Sequence, residues 1–500
     1  MSERTRRLGA RELLDLVLDD DSYVSWDEPP LDVAPGPAYA AELAAAAERA
    51  GTDEAVLTGE GLLRGRRVAV LACEFRFLAG SIGVAAAERL VAAVERATRE
   101  GLPLLAAPAS GGTRMQEGTV AFLTMVKISA AIATHKAAGL PYLVYLRHPT
   151  TGGVLASWGS LGHVTVAEPG ALIGFLGPRV YQALYDKPFP EGVQTAENLF
   201  RHGLVDAVLP PEEIPAIAER ALNVLLAPRE QVPEPAKPDD GTPADRPAWE
   251  SITASRSPDR PGVRALLRFA AEDVVPLNGT GEGESDPGLL LALARFAGAP
   301  CVVLGQDRRA QTAEHPMGPA ALREARRGMR LAAELRLPLV TVIDTPGAAL
   351  SVDAEEQGMA GQIARCLAEL VTLDAPTVSV LLGQGSGGGA LALVPADRVI
   401  AAENAWLSPL PPEGASAIVH RDVAHAPQMA DEQGVRALDL LRDGIVDRVV
   451  AEPPDPTADP VDFCLRMGRA LGHELGTLLH TAPAERAALR QNRYRRLGHP

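Results

Sequence analysis

Two matching stretches decide the fold: LPLLAAPASGG, at residues 102–112, and LPLVTVIDTPG, at residues 337–347. The interval from Leu102 to Leu337, here called the repeat interval, separates the two stretches. Two further pairs of positions keep the same interval, namely Pro141 with Pro376 and Glu168 with Glu403. A sequence repeat fixes an architecture before any propensity argument does. Three anchors at one spacing therefore indicate an internal duplication.

Each copy shows the pattern of an α/β fold. Apolar residues at helical spacing precede each anchor: Ala87, Leu90, Val94 and Ala97 in one copy, and Leu322, Ala325, Met329 and Ala332 in the other. After each anchor come a glycine-containing turn, another helical segment and another buried run. This βαβα order predicts a mainly parallel sheet covered by helices in each half.

The duplication also predicts the domain organisation. We expect an N-terminal domain over residues 1–228, which begins with a short helical arm at residues 11–18. Residues 229–260 are rich in Pro and Asp, as is typical of an extended linker. A C-terminal domain is expected over residues 261–500, with a closing helix at residues 463–479.

Composition narrows the classes of function. The chain has 500 residues and a formal net charge of −16, which argues against nucleic acid as the main partner. An anionic small ligand, bound by a few local arginines, stays compatible with that charge. The 4 cysteines form no CxxC pair, so we expect no metal site and a reduced, cytoplasmic protein. No signal peptide is expected, because the basic N-terminus leads into acidic residues such as Glu12 and Asp15 and not into an apolar segment. No membrane span is expected, because no stretch reaches about 18 uninterrupted apolar residues.

Two glycine-rich turns at matching positions are the most informative local feature. Gly152 and Gly153 follow one buried run, and Gly387, Gly388 and Gly389 follow another, each at the start of a predicted helix. Free backbone N–H groups at a helix start can stabilise a developing negative charge, as an oxyanion hole does. The alternative is a pair of tight turns that need glycine for a positive φ. The residues alone leave both interpretations open.

A second loop lies upstream of each turn, at residues 110–118 in the first copy and residues 344–347 in the second. Taken alone, each loop is also compatible with an ordinary strand-to-helix connection with capping residues. The chain contains no GxxxxGK[ST] motif, which excludes a P-loop nucleotide hydrolase.

Two other chemistries fit parts of the sequence. Gly383, Gly385 and Gly388 form a GxGxxG pattern, and Glu403 follows at the spacing of the acidic residue in a dinucleotide fingerprint. Three histidines and two serines near the first glycine turn suggest nucleophilic catalysis: His135, His148, His163, Ser157 and Ser160. No GxSxG elbow contains a candidate serine, so buried or surface histidines are the simpler interpretation.

At these residues the sequence closely resembles the carboxyltransferase component of biotin-dependent acyl-CoA carboxylases. The first copy resembles the β subunit of bacterial acetyl-CoA carboxylase through FRFLAGSIG (residues 75–83), SGGTRMQEG (110–118), GGVLAS (152–157) and AEPGALIGFLGP (167–178). The second resembles the α subunit through IDTPGA (residues 343–348), AEEQG (354–358), GGGALA (387–392) and PPEGASAI (411–418).

The resemblance implies a crotonase-like fold in each half and transfer of a carboxyl group from carboxybiotin to the α-carbon of an acyl-CoA. It implies that Gly152 and Gly153 hold the thioester enolate, whereas Gly389 and Ala390 hold the ureido oxygen of biotin. It also implies a substrate-binding role for five residues of the two loops and the second turn: Gly111, Gly112, Arg114, Gly347 and Gly388. Acetyl-CoA, which would give malonyl-CoA for fatty acid biosynthesis, or propionyl-CoA is the implied acceptor.

The resemblance further implies partners. The chain has no AMKM-type biotinylation motif, so biotin is expected on a separate biotin carboxyl carrier, loaded by a biotin carboxylase. A homo-oligomer, dimer or hexamer, is expected, with the active site between the N-terminal half of one protomer and the C-terminal half of another. The zinc ribbon of the bacterial β subunit is absent, and Ser351 and Asp353 stand where the α pattern often has glycine. A malonyl-type decarboxylase component and a non-catalytic subunit stay open as alternatives.

Overall fold

The computed structural model describes residues 7–33, 36–228, 238–453 and 456–498. The chain divides into two compact units. The first comprises residues 1–222 with 281–283, and the second comprises residues 223–280 with 284–500. Each unit is built around one mainly parallel β-sheet with helices on its faces, as the βαβα pattern predicted.

The first unit contains the first half of the duplication. Its strands are β1 (Val24–Ser25), β2 (Val56–Leu63), β3 (Arg66–Cys73), β4 (Leu104–Ala107), β5 (Tyr142–Leu146), β6 (Thr150–Thr151), β7 (Val164–Ala167), β8 (Ile173–Gly174) and β9 (Ala207–Val208). Its helices are α1 (Ala10–Val17), α2 (Pro37–Ala50), α3 (Val84–Arg99), α4 (Gly118–Ala137), α5 (Gly152–Leu155), α6 (Pro178–Tyr185), α7 (Ala196–Arg201) and α8 (Ile214–Leu225), the last of which ends just past the boundary.

The second unit repeats this plan. Its strands are β10 (Glu272–Leu277), β11 (Leu289–Phe296), β12 (Ala299–Gln306), β13 (Leu339–Thr345), β14 (Thr377–Ser386), β15 (Arg398–Ala402), β16 (Trp406–Ser408) and β17 (Arg448–Val450). Its helices are α9 (Ala248–Ser255), α10 (Val263–Ala270), α11 (Pro319–Leu335), α12 (Val352–Glu356), α13 (Met359–Thr372), α14 (Gly387–Leu391), α15 (Pro412–Val419), α16 (Ala426–Glu432), α17 (Ala437–Arg442), α18 (Pro460–Leu479) and α19 (Pro483–Arg495).

The two sheets have matching strand orders. The first runs β1-β2-β3-β4-β5-β7-β9 and the second β10-β11-β12-β13-β14-β15-β17, with β16 beside β14. In both, the strands from the third onward are parallel. Leu104 is opposite Tyr142 in the first sheet, and Leu339 is opposite Thr377 in the second, so the register of these strands also follows the repeat interval. The helical stripes predicted on α3 and α11 are buried, at no more than 1% exposure for any of the eight residues.

The segment between the halves differs from the prediction. Residues 229–237 lie outside the described residues, but α9 occupies Ala248–Ser255 within the range expected to be an extended linker. Ala248 and Ile252 are fully buried and pack in one apolar cluster with Trp406. The prediction of an extended linker is therefore wrong for residues 248–255. This segment has apolar residues at helical spacing, which the prediction overlooked because it relied on the content of Pro and Asp.

The terminal helices were predicted in part. The arm expected at residues 11–18 is α1, and the helix expected at residues 463–479 is α18. The sequence analysis did not predict α19. Arg490 on α19 bonds to the Asp397 carboxylate at 2.7 and 2.8 Å and donates to the Ala375 carbonyl, which attaches α19 to the second sheet.

One helical stretch, Met115–Ala137, is long and apolar enough to cross a membrane by length and composition alone, and a third of its apolar window is buried. The core helix of a soluble protein passes the same test. Ile128 and Ile132 of this stretch are fully buried in the apolar core of the first unit, next to residues of α3.

The duplicated helices differ at one buried position. Arg89 on α3 pairs with Asp53 at 2.9 Å, whereas Glu324, which occupies the equivalent position of the repeat on α11, is a buried carboxyl group. Burial raises the pKa of Glu324 to about 8, although backbone groups of Asp286 and Gly279 bond to it. The Oε2 atom of Glu324 has no hydrogen-bond partner among the described residues. The folded chain therefore keeps a proton that the unfolded chain releases.

We expect Glu324→Gln to change how stability depends on pH. The folded pKa is raised, so the free energy of unfolding of the wild type should fall as the pH rises from about 4.5 to about 8. The variant should lack this contribution and be more stable than the wild type at about pH 8, by about 1 to 3 kcal/mol. Urea denaturation across this pH range measures the effect, with Glu355→Gln, an exposed carboxylate of the same unit, as control. If the free energy of unfolding depends on pH in the same way for the wild type and Glu324→Gln, the prediction is wrong.

Two candidate oxyanion holes at the glycine turns

Both glycine turns lie where ligands bind in α/β proteins, beyond the carboxyl ends of central parallel strands. The first turn follows β5 and opens α5, and the second follows β14 and opens α14. Gly152 has φ = +62°, and Gly387, at the equivalent position of the repeat, has φ = +65°. Only glycine adopts this left-handed conformation without strain, so each turn needs glycine at its first position.

The two upstream loops also correspond residue by residue. Gly112 has φ = +107° and Gly347 has φ = +138°. The Gly112 N–H donates to the Ser110 hydroxyl at 3.0 Å, and the Gly347 N–H donates to the Thr345 hydroxyl at 3.1 Å. A hydroxyl two residues earlier therefore fixes each loop in the same way. Thr345 is part of the DTPG stretch that we expected to form this loop.

A short parallel bridge positions each loop beside its turn. Ile82 bridges Thr113 in the first unit, and Met317 bridges Ala348 in the second. In the first bridge the Ile82 N–H donates to the Gly112 carbonyl at 2.9 Å and the Arg114 N–H donates to the Ile82 carbonyl at 3.0 Å. Because successive residues of an extended segment face opposite sides, the Thr113 N–H is directed away from the bridge.

The loops approach the turns closely, and the approach is tighter in the second unit than in the first. A methyl group built on Gly152 would lie 3.4 Å from the Gly112 Cα, and one built on Gly112 would lie 3.6 Å from the Gly153 nitrogen. In the second unit, a methyl group on Gly389 would lie 3.2 Å from the Ala348 nitrogen. Each site is therefore a place where two backbone segments meet with no side chain between them.

The first turn has one available donor and not two. The Gly152 N–H, predicted as a donor to an enolate, donates instead to the Phe175 carbonyl at 2.9 Å. The Gly153 N–H is in the first turn of α5 and has no acceptor among the described residues. Thr113 contributes a second N–H without an acceptor in the described part of the chain, and its hydroxyl is 3.1 Å from a methyl group built on Gly153. We therefore assign the first candidate hole to Gly153 and Thr113.

The second turn also differs from the prediction. Ala390 is the fourth residue of α14, so helix geometry directs its N–H to the Ser386 carbonyl. The second and third residues, Gly388 and Gly389, have no acceptor within the helix. Gly388 is half-buried, whereas Gly389 and Ala390 are buried. The geometry favours Gly388 and Gly389, together with the Ala348 N–H beside them, over Ala390.

The sequence analysis missed Thr113 and Ala348. Both are half-buried and lie one residue after the loop glycine. A backbone donor leaves no mark in residue type, since every residue except proline carries an N–H. The signal that could have found them is their position after the repeated Gly112 and Gly347, which bring the backbone close to the turns.

Other predicted substrate-binding residues shape the loops. Gly111 is exposed, but its N–H donates to the Ala79 carbonyl at 2.9 Å. The Gly112 N–H is taken by Ser110 and the Gly347 N–H by Thr345. In this conformation these three glycines provide no free donor. What they provide is a tight backbone path that places Thr113 and Ala348 beside the turns.

Arg114 was predicted to bind substrate, and the structure places it inside the first unit. Its side chain is 1% exposed and forms a two-point ion pair with buried Glu54, at 2.5 and 3.0 Å. It also donates to the Ser81 carbonyl at 2.7 Å and lies over the Phe77 ring, 5.3 Å from its centroid. A guanidinium enclosed in this way does not reach a substrate from solvent. Arg114 instead ties the 110–118 loop to the core.

We therefore expect Arg114→Met to destabilise the first unit by about 3 to 5 kcal/mol, because Glu54 would be left as a buried, uncompensated charge. Urea denaturation measures this loss. Arg67→Met is the matched control, since the Arg67 guanidinium pairs with Glu60 and Glu100 at the protein surface and its loss should change the free energy of unfolding little. A stable Arg114→Met variant with a raised KM would instead support the substrate-binding role.

The histidines near the first turn have structural partners. His163 Nδ1 accepts the Tyr142 N–H and His148 Nδ1 accepts the Leu172 N–H, both at 3.0 Å. His135 is buried between Thr98 and the Pro141 carbonyl, and burial lowers its pKa to about 4. Ser157 donates to the Gly153 carbonyl and not to a histidine. These contacts provide no serine–histidine pair at the turn.

The dinucleotide alternative does not fit the structure. Gly383 and Gly385 lie inside strand β14, whereas the fingerprint requires its glycines in the turn after a strand. A methyl group on Gly383 would lie 2.5 Å from the Asp344 carboxylate, so this glycine makes room for a buried side chain. Among the described residues, no group of three or more His, Cys, Asp or Glu could hold a metal ion.

Each of the two duplicated halves thus presents backbone amides of a glycine turn and a second loop as a candidate oxyanion hole. Residues 4–468 match the carboxyl transferase domain family, so the chain belongs to that family and is a transferase. It is 63% identical, over 99% of both chains, to the probable biotin-dependent acyl-coenzyme A carboxylase beta3 subunit of Mycobacterium tuberculosis (strain H37Rv). It is 38% identical to the acetyl-coenzyme A carboxylase carboxyl transferase subunits beta/alpha of Salinispora arenicola, over 98% of this chain and 91% of that one.

Solved structures confirm the predicted fold. The chain superimposes on transcarboxylase 12S with a TM-score of 0.70 and 22% identity, over 92% of this chain and 89% of that one. It superimposes on a single-chain, multi-domain long-chain acyl-CoA carboxylase with a TM-score of 0.69 and 19% identity, over 93% of this chain and 45% of that one. The two units are thus crotonase-like halves of a carboxyltransferase.

Proposed function

We propose that this protein is the carboxyltransferase subunit of a biotin-dependent acyl-CoA carboxylase. It transfers a carboxyl group from biotin, held on a separate carrier, to the α-carbon of acetyl-CoA or propionyl-CoA. The relatives named above support the class of reaction. One structural observation carries the proposal: in each half, at least one N–H of a glycine turn lies beside an N–H of a second loop, and neither has an acceptor among the described residues.

The first hole suits the thioester. Loss of the α-proton moves negative charge onto the thioester oxygen, and the N–H groups of Gly153 and Thr113 are available to stabilise it. Preorganised donors of this kind usually supply the largest single part of such catalysis. His135, His148 and His163 are engaged elsewhere, so these side chains do no acid–base work at the turn.

The second hole suits the ureido oxygen of biotin. The Gly388, Gly389 and Ala348 N–H groups offer donors, and Gly388 and Ala348 are half-buried and not fully enclosed. Biotin, when bound, supplies both the carboxyl group and a ring nitrogen that can take the α-proton, so no protein base is required. The part of each half is to stabilise the negative charge that forms on the oxygen it holds.

The altered α-like loop keeps the features that matter to this proposal. Ser351 is the N-cap of α12 and its hydroxyl accepts the Ala354 N–H at 3.2 Å. This change lies after Ala348, and the Gly347–Thr345 bond repeats the Gly112–Ser110 bond of the first half. These contacts favour an active enzyme over a non-catalytic subunit.

A biotin carboxylase, a biotin carboxyl carrier and a second copy of this chain are the proposed partners. Support for a homo-oligomer comes from five large apolar residues exposed on the Met115–Ala137 stretch, more than such a short surface usually leaves in water: Met115, Val120, Phe122, Leu123 and Val126. Transcarboxylase 12S, which shares the fold, forms a hexamer assembly. We also propose a cytoplasmic location, which suits four free, buried cysteines.

The decisive experiment supplies the purified chain with biotin carrier, biotin carboxylase, ATP and bicarbonate, and compares acetyl-CoA with propionyl-CoA. We expect ATP-dependent formation of malonyl-CoA or methylmalonyl-CoA. A parallel reaction receives malonyl-CoA. If malonyl-CoA is consumed there and no biotin-dependent synthesis is seen, the protein is a decarboxylase. Binding of acyl-CoA without turnover would identify a non-catalytic subunit, and both results would overturn the proposal.

The first hole is tested by Gly153→Pro, which deletes one backbone donor. Loss of a single donor should lower turnover by about a hundredfold to a thousandfold. Gly153→Ala is the matched control: it adds a Cβ 3.1 Å from the Thr113 hydroxyl but keeps the N–H, so its loss reports crowding alone. Equal turnover of these two variants, with both folded by circular dichroism, would contradict the assignment of Gly153.

A further inference from the structure

Gln306 occupies a special place in the second unit. It is the last residue of β12, and its side chain is fully buried. The side-chain nitrogen donates to the Gly389 carbonyl at 2.8 Å and the side-chain oxygen accepts the Asp344 N–H at 3.2 Å. The same nitrogen is 3.7 Å from the Met317 sulfur. One amide thus contacts the glycine turn, the strand that leads into the DTPG loop, and the residue that bridges Ala348.

The Gly389 carbonyl needs such a donor. Helix α14 ends at Leu391, and the Leu393 N–H bonds to the Ala390 carbonyl at 3.0 Å and not to Gly389. An unpaired buried carbonyl would favour a turn that shifts to find another partner. The bond from Gln306 removes that tendency and so fixes the peptide planes next to the candidate donors.

The first unit holds the carbonyl one position earlier in the repeat, since Gly153 corresponds to Gly388 and not to Gly389. There the Ser157 hydroxyl, one turn along the same chain segment, donates to the Gly153 carbonyl at 2.5 Å. By strand register the counterpart of Gln306 is Cys73, because Ala69 is opposite Leu104 as Val302 is opposite Leu339. A cysteine cannot span two loops as a carboxamide does. The support of the second hole is therefore specific to the second half.

We infer that Gln306 is a positioning residue for the second hole and Ser157 for the first, so that each governs one partner of the reaction. This inference rests on the proposed function. Neither side chain need touch a substrate. Each holds the carbonyl of a turn so that the adjacent N–H groups keep their direction as charge develops, and small misplacements of such groups are costly.

The test measures the reverse reaction of the full chain, with free biotin and malonyl-CoA, or methylmalonyl-CoA if the wild type uses that acyl group. We expect Gln306→Met to lower kcat/KM for biotin by about tenfold to a hundredfold, with the KM for the acyl-CoA unchanged. Ser157→Ala should affect the other substrate: we expect a higher KM for the acyl-CoA and an unchanged KM for biotin. A general loss of structure would not separate the two substrates in this way.

Thr341→Val is the matched control for Gln306→Met. Thr341 is buried, and its hydroxyl donates to the Leu393 carbonyl at 2.7 Å, just after the same helix, without contacting the turn. Its loss should lower stability and leave both KM values unchanged. If Gln306→Met changes the kinetic constants for biotin and for the acyl-CoA equally, or changes neither in a folded enzyme, the inference is wrong. The proposed function would still stand. A wild-type enzyme that fails to transfer carboxyl groups would overturn the proposed function first, and the inference with it.

Discussion

The sites depend on one constraint: a glycine turn and a second backbone loop must approach each other closely. A methyl group on Gly152 would lie 3.4 Å from the Gly112 Cα, and one on Gly389 would lie 3.2 Å from the Ala348 nitrogen. Oxyanion holes made of backbone amides need this closeness, because donors from two segments must converge on one oxygen. The left-handed conformation of the turns and loops, their hydroxyl caps and the bridges behind them all serve to hold that approach.

The sequence predicted this constraint better than it predicted the donors. The repeat of Gly152 at Gly387 could be read directly, and the fold followed from the same spacing. What could not be read is which amides are free. Gly152 has the conformation that only glycine allows, yet its N–H is taken by the Phe175 carbonyl. The residue that must be glycine is thus not the residue that donates. Only the three-dimensional contacts show which residue has which role.

Arg114 shows a second limit of sequence reasoning. An arginine inside a glycine-rich loop favours an anion-binding interpretation, and the partner that contradicts it, Glu54, lies far earlier in the chain. Burial of such a pair depends on how distant segments pack, which no local pattern reports. The helix at Ala248–Ser255 was missed for a related reason. Its buried face packs against Trp406, which lies far later in the chain.

The duplication kept the backbone of the sites and changed the side chains around it. Arg89 is a paired guanidinium, whereas Glu324 at the equivalent buried position is a carboxyl group that keeps its proton up to about pH 8. Ser157 holds the Gly153 carbonyl in one half, and Gln306 holds the Gly389 carbonyl in the other. Backbone donors cannot be tuned by substitution, because every residue type except proline offers the same N–H. The side chains that hold the neighbouring carbonyls can be changed by substitution. Under the proposed function the two holes receive different partners, so their supporting side chains are free to diverge while their backbone donors stay the same.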